Sequence, residues 1–139
     1  MLYIYNQNNL ANIACKEKIQ KAEKTAFSVV KGLCERELFS YDSRIKLTKL
    51  YLNINTKVPI YINKEILLMP TKSPKRYETY WINYFEVFSY QKHFDKTLIL
   101  FTNLKELEVS VTVNSFTIMM DKAKRVKEYM DKRGLNSSI

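Results

Sequence analysis

At 139 residues, the chain is long enough to bury about two-thirds of its unfolded surface in one core, which excludes a second folded domain. Its 46% hydrophobic and 13% aromatic content excludes a wholly disordered chain. The net charge of +9 favours an anionic partner, either nucleic acid or an acidic membrane surface, although richness in Lys, Asn, Ile and Tyr is also typical of A/T-rich coding bias.

The first half of the chain predicts strands. Residues 2–5 and 10–15 are apolar and flank an Asn-rich turn, which indicates a hairpin. The charged residues 16–24 fit a helical turn or a mobile connection equally well, on the surface in either case. Residues 25–30 predict a strand, and the alternation of apolar and polar residues over 45–55 predicts another.

The second half predicts further antiparallel pairs. Residues 58–62 and 65–69 form a candidate hairpin, followed by a long strand over 79–88. A third pair is predicted from 98–102 and 107–112.

After Asn114 the apolar residues recur every three or four positions, which predicts an amphipathic helix. Asn114 or Ser115 can cap its start, and Gly134 can close its end. The fold class is therefore α+β, a mainly antiparallel β-sheet with a C-terminal amphipathic helix, in a single domain over 1–139. The apolar stripe of the helix is typical of core or of a dimer interface; it comprises Phe116, Met119, Met120, Ala123, Val126 and Met130.

The inventory of reactive residues argues against an enzyme. His93 stands in a polar loop-like stretch without an identifiable partner, so a catalytic base or triad is not indicated. Cys15 and Cys34 lack the spacing of a metal site, and Gly32 and Gly134 stand apart, so no phosphate-binding glycine loop is present. We expect no catalytic residues, no metal and no cofactor.

Cysteine usage and hydropathy predict the compartment. Two cysteines without a secretory leader indicate free thiols in a reducing cytoplasm. The longest apolar runs, such as 66–69 and 98–101, are far too short to span a membrane. A soluble, cytoplasmic protein without a membrane partner is expected.

A basic loop is the strongest candidate for a binding site. The loop carries Lys72 between Pro70 and Pro74, and Lys75 and Arg76 directly after Pro74. These prolines reduce the conformational entropy that the loop would lose on meeting a phosphate backbone. Each cation taken alone is also typical of an ordinary solvated surface.

Two other residues extend this candidate. Lys57 stands two positions before Pro59, and Arg44 is expected at the mouth of the strand predicted over 45–55. Arginine is the residue best suited to enter a narrow, negative minor groove. Trp81 fits a buried core position better than a base-stacking platform.

Several short elements occur along the chain at characteristic spacing: Cys34, Ser40-Tyr41, Arg44, Lys57-x-Pro59-Ile60, Pro70-Thr71-x-Ser73, Arg76, Trp81-Ile82 and Asn114-Ser115-Phe116. Read together, they resemble the competence transcription factor family (ComK-type) of low-G+C Gram-positive bacteria, over about residues 25–130. The similarity rests on their joint spacing.

The resemblance implies a DNA-binding activator of genes for DNA uptake, which recognises paired A/T-rich boxes as an oligomer, in the minor groove. It marks Arg44, Lys57 and Arg76 as the matching cations, while Lys72 and Lys75 are added on local grounds. Double-stranded A/T-rich DNA, further copies of the chain and a proteolytic adaptor protein are the implied partners.

The chain departs from the family pattern at several points. Phe39, Asp42 and Ser43 replace small and glycine-rich residues, and Asp42 would repel a phosphate. Thr79-Tyr80 replaces a cysteine position before Trp81. The N-terminal part looks shortened and the C-terminal tail is expected to be absent. These departures leave open a divergent paralogue that acts as a protein-interaction module without sequence-specific DNA binding; an RNA-binding module is a weaker third hypothesis.

Overall fold

Nine strands and three α-helices form within residues 1–136, which are the residues that the computed structural model describes. The helices lie between and after the strands, and neighbouring strands pair antiparallel throughout. The α+β fold class expected from the sequence, with its C-terminal helix, is confirmed. The helices are α1 (Ala26–Arg36), α2 (Tyr41–Leu52) and α3 (Val113–Asn136).

Six strands form the central sheet, in the order β3-β2-β1-β6-β5-β4. The N-terminal hairpin pairs with the middle of the chain through β1 and β6, where Ile4 lies opposite Trp81. The central sheet therefore joins segments far apart in sequence. Its strands are β1 (Tyr3–Gln7), β2 (Leu10–Ala14), β3 (Ile19–Ala22), β4 (Ile60–Asn63), β5 (Ile66–Pro70) and β6 (Trp81–Asn83).

A second sheet has three strands in the order β7-β8-β9. Its strands follow one another along the chain, so each connection is a short turn. They are β7 (Val87–His93), β8 (Lys96–Phe101) and β9 (Glu106–Val109).

The three predicted hairpins are confirmed. In the first, Asn8 and Asn9 form the turn with φ of 53° and 61°, a conformation that asparagine tolerates better than most residues. The other two are the β4–β5 and β8–β9 pairs. The sequence of residues 16–24 fits a helical turn or a mobile connection, but in the structure these residues contain the exposed edge strand β3.

The strand predicted over 25–30 is wrong, because these residues begin α1. Thr25 caps the helix, since its Oγ1 accepts a hydrogen bond from Ser28 N at 3.2 Å. Val30 and Cys34, four residues apart, are both fully buried. Burial at helical spacing outweighed the strand propensity of the β-branched residues here.

The strand predicted over 45–55 is also wrong, because most of these residues belong to α2. Ser40 caps this helix by accepting from Ser43 N at 3.2 Å. Ile45 and Leu52, two turns apart, pack against the core, whereas Leu47 and Leu50 are largely exposed. A helix with two apolar faces produced the alternation that resembles a strand.

The long strand predicted over 79–88 is two strands in different sheets. β6 ends at Asn83, a 3-10 turn covers Tyr84–Glu86, and β7 then enters the second sheet. Asn83 Oδ1 accepts from Phe85 N at 3.3 Å and starts this turn. Periodicity alone could not show the change of direction.

The C-terminal helix is confirmed, but its predicted ends are wrong. Thr112 is the capping residue, because its Oγ1 accepts from Ser115 N at 3.2 Å; Asn114 and Ser115 lie inside the first turn. The helix continues through Gly134 to Asn136. Among the described residues, no helix is long and apolar enough to cross a membrane.

The central sheet is buried on both faces, which gives two cores. On one face Trp81 is fully buried, stacked on Phe27 at 6.0 Å between ring centroids and edge-on to Tyr41 at 6.2 Å, so its predicted core role is confirmed. The second sheet and α3 cover the other face, where Phe101 and Phe116 are fully buried. The apolar stripe of α3 is therefore core.

The Asn83 side chain connects these layers and should be a main determinant of stability. Its Oδ1 accepts from Leu67 N at 3.1 Å, and its Nδ2 donates to Met1 O at 2.9 Å and Glu65 O at 3.0 Å. We expect Asn83→Ala to lower the free energy of unfolding by about 2–4 kcal/mol, because it leaves the backbone partners of the Asn83 side chain without their hydrogen bonds. Urea denaturation followed by circular dichroism measures this.

Asn114→Ala is the matched control, since Asn114 is exposed and should tolerate the change with little loss. Equal midpoints for the two variants would show that the Asn83 hydrogen bonds contribute no more than a surface amide.

Candidate nucleic-acid interface

The basic loop over residues 71–79 is fixed at its base by buried threonines. Thr71 N donates to Tyr80 O at 2.9 Å, and Tyr80 N donates back to Thr71 Oγ1 at 2.9 Å. Thr79 Oγ1 donates to Ser73 O across the loop at 2.6 Å. Hydrogen bonds at its base therefore fix this loop, in addition to the prolines that are expected to stiffen it.

The outer part of the loop is held against the N-terminal hairpin. Asn6 Nδ2 donates to Tyr77 O at 2.9 Å, and Asn9 N donates to the Tyr77 hydroxyl at 3.0 Å. Lys75 and Arg76 remain exposed on this anchored loop. Their backbone is therefore ordered while their side chains face solvent.

Arg76 forms an ion pair with a neighbouring carboxylate of the loop. Its Nη2 donates to Glu78 Oε1 in an exposed ion pair. A backbone hydrogen bond, then the bond from Arg76 and the charge of Lys72 hold the pKa of Glu78 below its usual value. Exposed pairs of this kind are weak, so a phosphate can replace Glu78 as the partner of Arg76.

Lys57 and Lys72 lie close together although fifteen positions separate them in the sequence. Lys57 is half-buried in the connection from α2 to β4, with φ at 44°. Burial lowers the pKa of Lys57, and the charge of Lys72 lowers it further. Lys72 Nζ in turn donates to Ser110 O at 3.4 Å. The structure thus brings together two of the predicted site residues.

Lys122 completes the group from α3. Its Nζ donates to Thr56 O at 2.7 Å and to Thr56 Oγ1 at 3.2 Å. Burial lowers the pKa of Lys122, and the charge of Lys57 adds to this effect. Lys57, Lys72 and Lys122 are called the lysine cluster below. Within residues 1–136, none of the three forms an ion pair with a carboxylate.

Sequence reasoning missed Lys122 as a site residue because it was one of several cations on the polar face of the predicted helix. Arg125, one turn later, reaches the same region, where its Nη2 donates to Leu52 O at the end of α2. Only the packing of α3 against the end of α2 distinguishes these two residues from the other cations of that face.

Arg44 lies apart from the lysine cluster. It is in the first turn of α2, about 12 Å along the helix axis from Leu52, rather than at the mouth of a strand. Its guanidinium lies 3.7 Å from the Phe39 ring centroid, and Nη1 donates to Tyr61 O at 2.8 Å. Burial lowers the pKa of Arg44. The expected position at a strand end is therefore wrong.

The comparisons with known proteins agree with the sequence pattern. The model of the ComK family, described as ComK protein, matches residues 2–134. The chain belongs to the ComK family. The match reaches well beyond residues 25–130 and includes the N-terminal hairpin. Neither the curated proteins nor the solved structures include a match.

ComK membership makes the chain a competence-related transcription factor at the level of the family, which is not a family of enzymes. Two residues expected to depart from the family pattern, Phe39 and Asp42, have side-chain roles here. The Phe39 ring packs against the Arg44 guanidinium, whereas Ser43 contributes only its backbone N to the cap of α2. Asp42 lies exposed in the first turn, where its negative charge favours the helix dipole.

The lysine cluster of this ComK chain predicts coupled titration. In Lys57→Gln, the pKa of Lys122 should rise part of the way toward its ordinary 10.5, because one cause of its lowering is removed while burial, the larger cause, stays. Nuclear magnetic resonance of the lysine 13Cε groups across pH measures this shift.

Lys132→Gln is the control, since Lys132 is exposed on α3 and exerts no such effect on Lys122. An unchanged Lys122 titration in Lys57→Gln would mean that the two side chains are not neighbours in solution.

Proposed function

We propose that this ComK-family protein is a cytoplasmic, DNA-binding transcriptional activator of genetic competence and DNA-uptake genes. It binds double-stranded A/T-rich DNA as an oligomer, with the lysine cluster and the 71–79 loop against the phosphate backbone. The observation that carries the proposal is the lysine cluster itself: three ammonium groups from three elements, without a carboxylate partner among residues 1–136.

Phosphates would relieve the repulsion within the cluster. Lys57 and Lys122 have lowered pKa values because burial and a neighbouring ammonium both disfavour their charged forms. A phosphate against the cluster favours those charged forms, and counterions released from DNA add to affinity without reading sequence. Lys75 and Arg76 extend the same basic surface along the loop.

Preference for A/T-rich boxes needs a group that enters the minor groove. Arg76 is exposed on an ordered loop, and within residues 1–136 its side chain has only Glu78 to exchange for DNA, which suits insertion into a narrow A-tract groove. Arg44 is included on the family resemblance, and it must leave Phe39 and Tyr61 O to reach DNA. An oligomer presents this surface more than once, as paired boxes require.

The salt dependence of DNA binding should fall when the lysine cluster is neutralised. Each phosphate contact contributes about 0.9 to the slope of log affinity against log salt, so replacing Lys57, Lys72 and Lys122 by Gln should reduce the slope by about 3 for each bound copy of the protein. Fluorescence anisotropy with an A/T-box duplex at several salt concentrations measures it.

A variant with Lys21, Lys92 and Lys105 changed to Gln loses the same charge from exposed positions outside the cluster and the loop. It should keep a slope close to the wild-type value. Equal slopes for the two triple variants would show that DNA binding depends only on the net charge of the protein. The lysine cluster would then no longer be assigned as the DNA-binding surface.

Sequence preference should depend on the arginines. A footprint on A/T-rich promoter DNA should weaken in Arg76→Ala and, to a smaller extent, in Arg44→Ala, because the second side chain starts from an intramolecular site. The wild-type protein should prefer the A/T duplex over a G/C duplex of the same length.

Unchanged footprints in both arginine variants would discard the two residues as contacts. Equal affinity for A/T and G/C duplexes would argue against sequence preference and favour the protein-interaction alternative. Stronger competition by single-stranded RNA than by A/T duplex would favour the RNA-binding one.

A further inference from the structure

A groove between α2 and α3 is separate from the lysine cluster and has no role in the proposed DNA contact beyond Arg44. It encloses about 310 Å³ above Tyr61 of β4. Its walls are apolar, with Leu47 and Leu52 from α2 facing Val126 and Met130 from α3. A groove of this kind between two helices is a common binding geometry.

Both charged residues that line the groove are arginines, Arg44 and Arg133. Arg44 is half-buried and held by one hydrogen bond and one aromatic ring, and it has no ion-pair partner among residues 1–136. One carboxylate acts on the wall of the groove: the charge of Asp131 reaches Tyr61. Asp131 is already paired with Lys127 at 2.7 Å. The groove therefore favours a carboxylate from outside.

The apolar surface extends past the rim of the groove. Leu47 is 49% exposed and Tyr51 is 64% exposed on the outer side of α2. A small ligand inside the groove would leave this rim in water, whereas a longer amphipathic segment would cover it. The rim thus indicates a polypeptide rather than a small molecule.

A second copy of this chain is a poor occupant on electrostatic grounds. The groove presents two cations, and a second copy with a net charge of +9 offers more cations than carboxylates to face them. An acidic segment complements the groove, while a copy of this basic chain opposes it.

We propose that the α2–α3 groove binds an acidic amphipathic segment of a partner protein. Apolar side chains of the segment fill the space between Leu47, Leu52, Val126 and Met130, and its carboxylates pair with Arg44 and Arg133. The inference does not rest on the DNA proposal, since the groove would accept such a segment whether or not the lysine cluster binds DNA.

A phage-displayed library of random 16-residue peptides, selected on the immobilised full-length protein, tests the proposal. Enriched peptides should carry Asp or Glu together with apolar residues at helical spacing. The strongest of them, made synthetically and labelled with fluorescein, should bind in a saturable manner by fluorescence polarisation, and its scrambled version should bind far more weakly.

Two pairs of variants locate the binding site. Arg133→Gln should weaken peptide affinity about tenfold, and Lys132→Gln, a neighbouring cation that does not line the groove, should leave it unchanged. Leu47→Ser should weaken affinity similarly. Leu50→Ser should not, because Leu50 is also a leucine of α2, 69% exposed, but lies outside the groove. Thermal melting by circular dichroism verifies that all four variants are folded.

Arg44 is shared with the DNA proposal, so Arg133 is the decisive cation. Enrichment of peptides without acidic residues, failure to enrich any, or equal affinity for Arg133→Gln and Lys132→Gln would overturn the proposal. If no peptide binds, and if sedimentation shows a dimer that Leu47→Ser abolishes, the occupant of the groove is a second copy of the chain and not an acidic segment. A-tract DNA binding is measured separately on the same proteins, so failure of one proposal leaves the other to be judged on its own data.

Discussion

The hydrogen bonds of one buried amide, Asn83, determine how the layers meet. Its oxygen accepts from β5 and from the 3-10 turn, and its nitrogen donates to carbonyls of Met1 and Glu65. The Asn83 backbone N donates to Leu2 O at 2.9 Å as well. Here the chain leaves the central sheet for the second one. A buried amide with all these partners fixes the direction in which the chain leaves the central sheet, which apolar packing alone would not determine.

That change of direction positions the basic surface. The second sheet and α3 cover the central sheet only because β7 leaves it after Asn83, and α3 then carries Lys122 to Thr56. The resulting cluster costs stability. Folding lowers the pKa of Lys57 and Lys122, so the unfolded chain holds their protons more tightly. The cost is fully present at neutral pH and disappears as the pH rises above 10.5, the ordinary lysine value. The two cores offset it.

Elements whose signals lie in neighbouring residues could be predicted from the sequence. The Asn8-Asn9 turn and the apolar stripe of α3 are local signals, and both elements were predicted. By contrast, α2 has apolar residues on two faces, a pattern that resembles a strand and conceals the helix that Ser40 caps. The candidate site shows the same difference between residues that are local in sequence and residues that only the fold brings together. Lys72, Lys75 and Arg76 belong to one loop, whereas Lys122 joins them only through tertiary packing, which no local pattern encodes.

The helix α2 ties the two proposed surfaces to each other. Its C-terminal end leads into Lys57, and its outer face forms one wall of the groove that Arg44 lines. Arg44 and the end of the helix are about 12 Å apart along the axis, which is about one and a half times the Debye length of about 8 Å at physiological salt. An acidic segment in the groove and a phosphate at the lysine cluster would therefore repel each other weakly across one rigid helix. They would also compete directly for Arg44 wherever it leaves Phe39. A partner of this chemistry would thus oppose DNA binding, and low salt would strengthen that opposition.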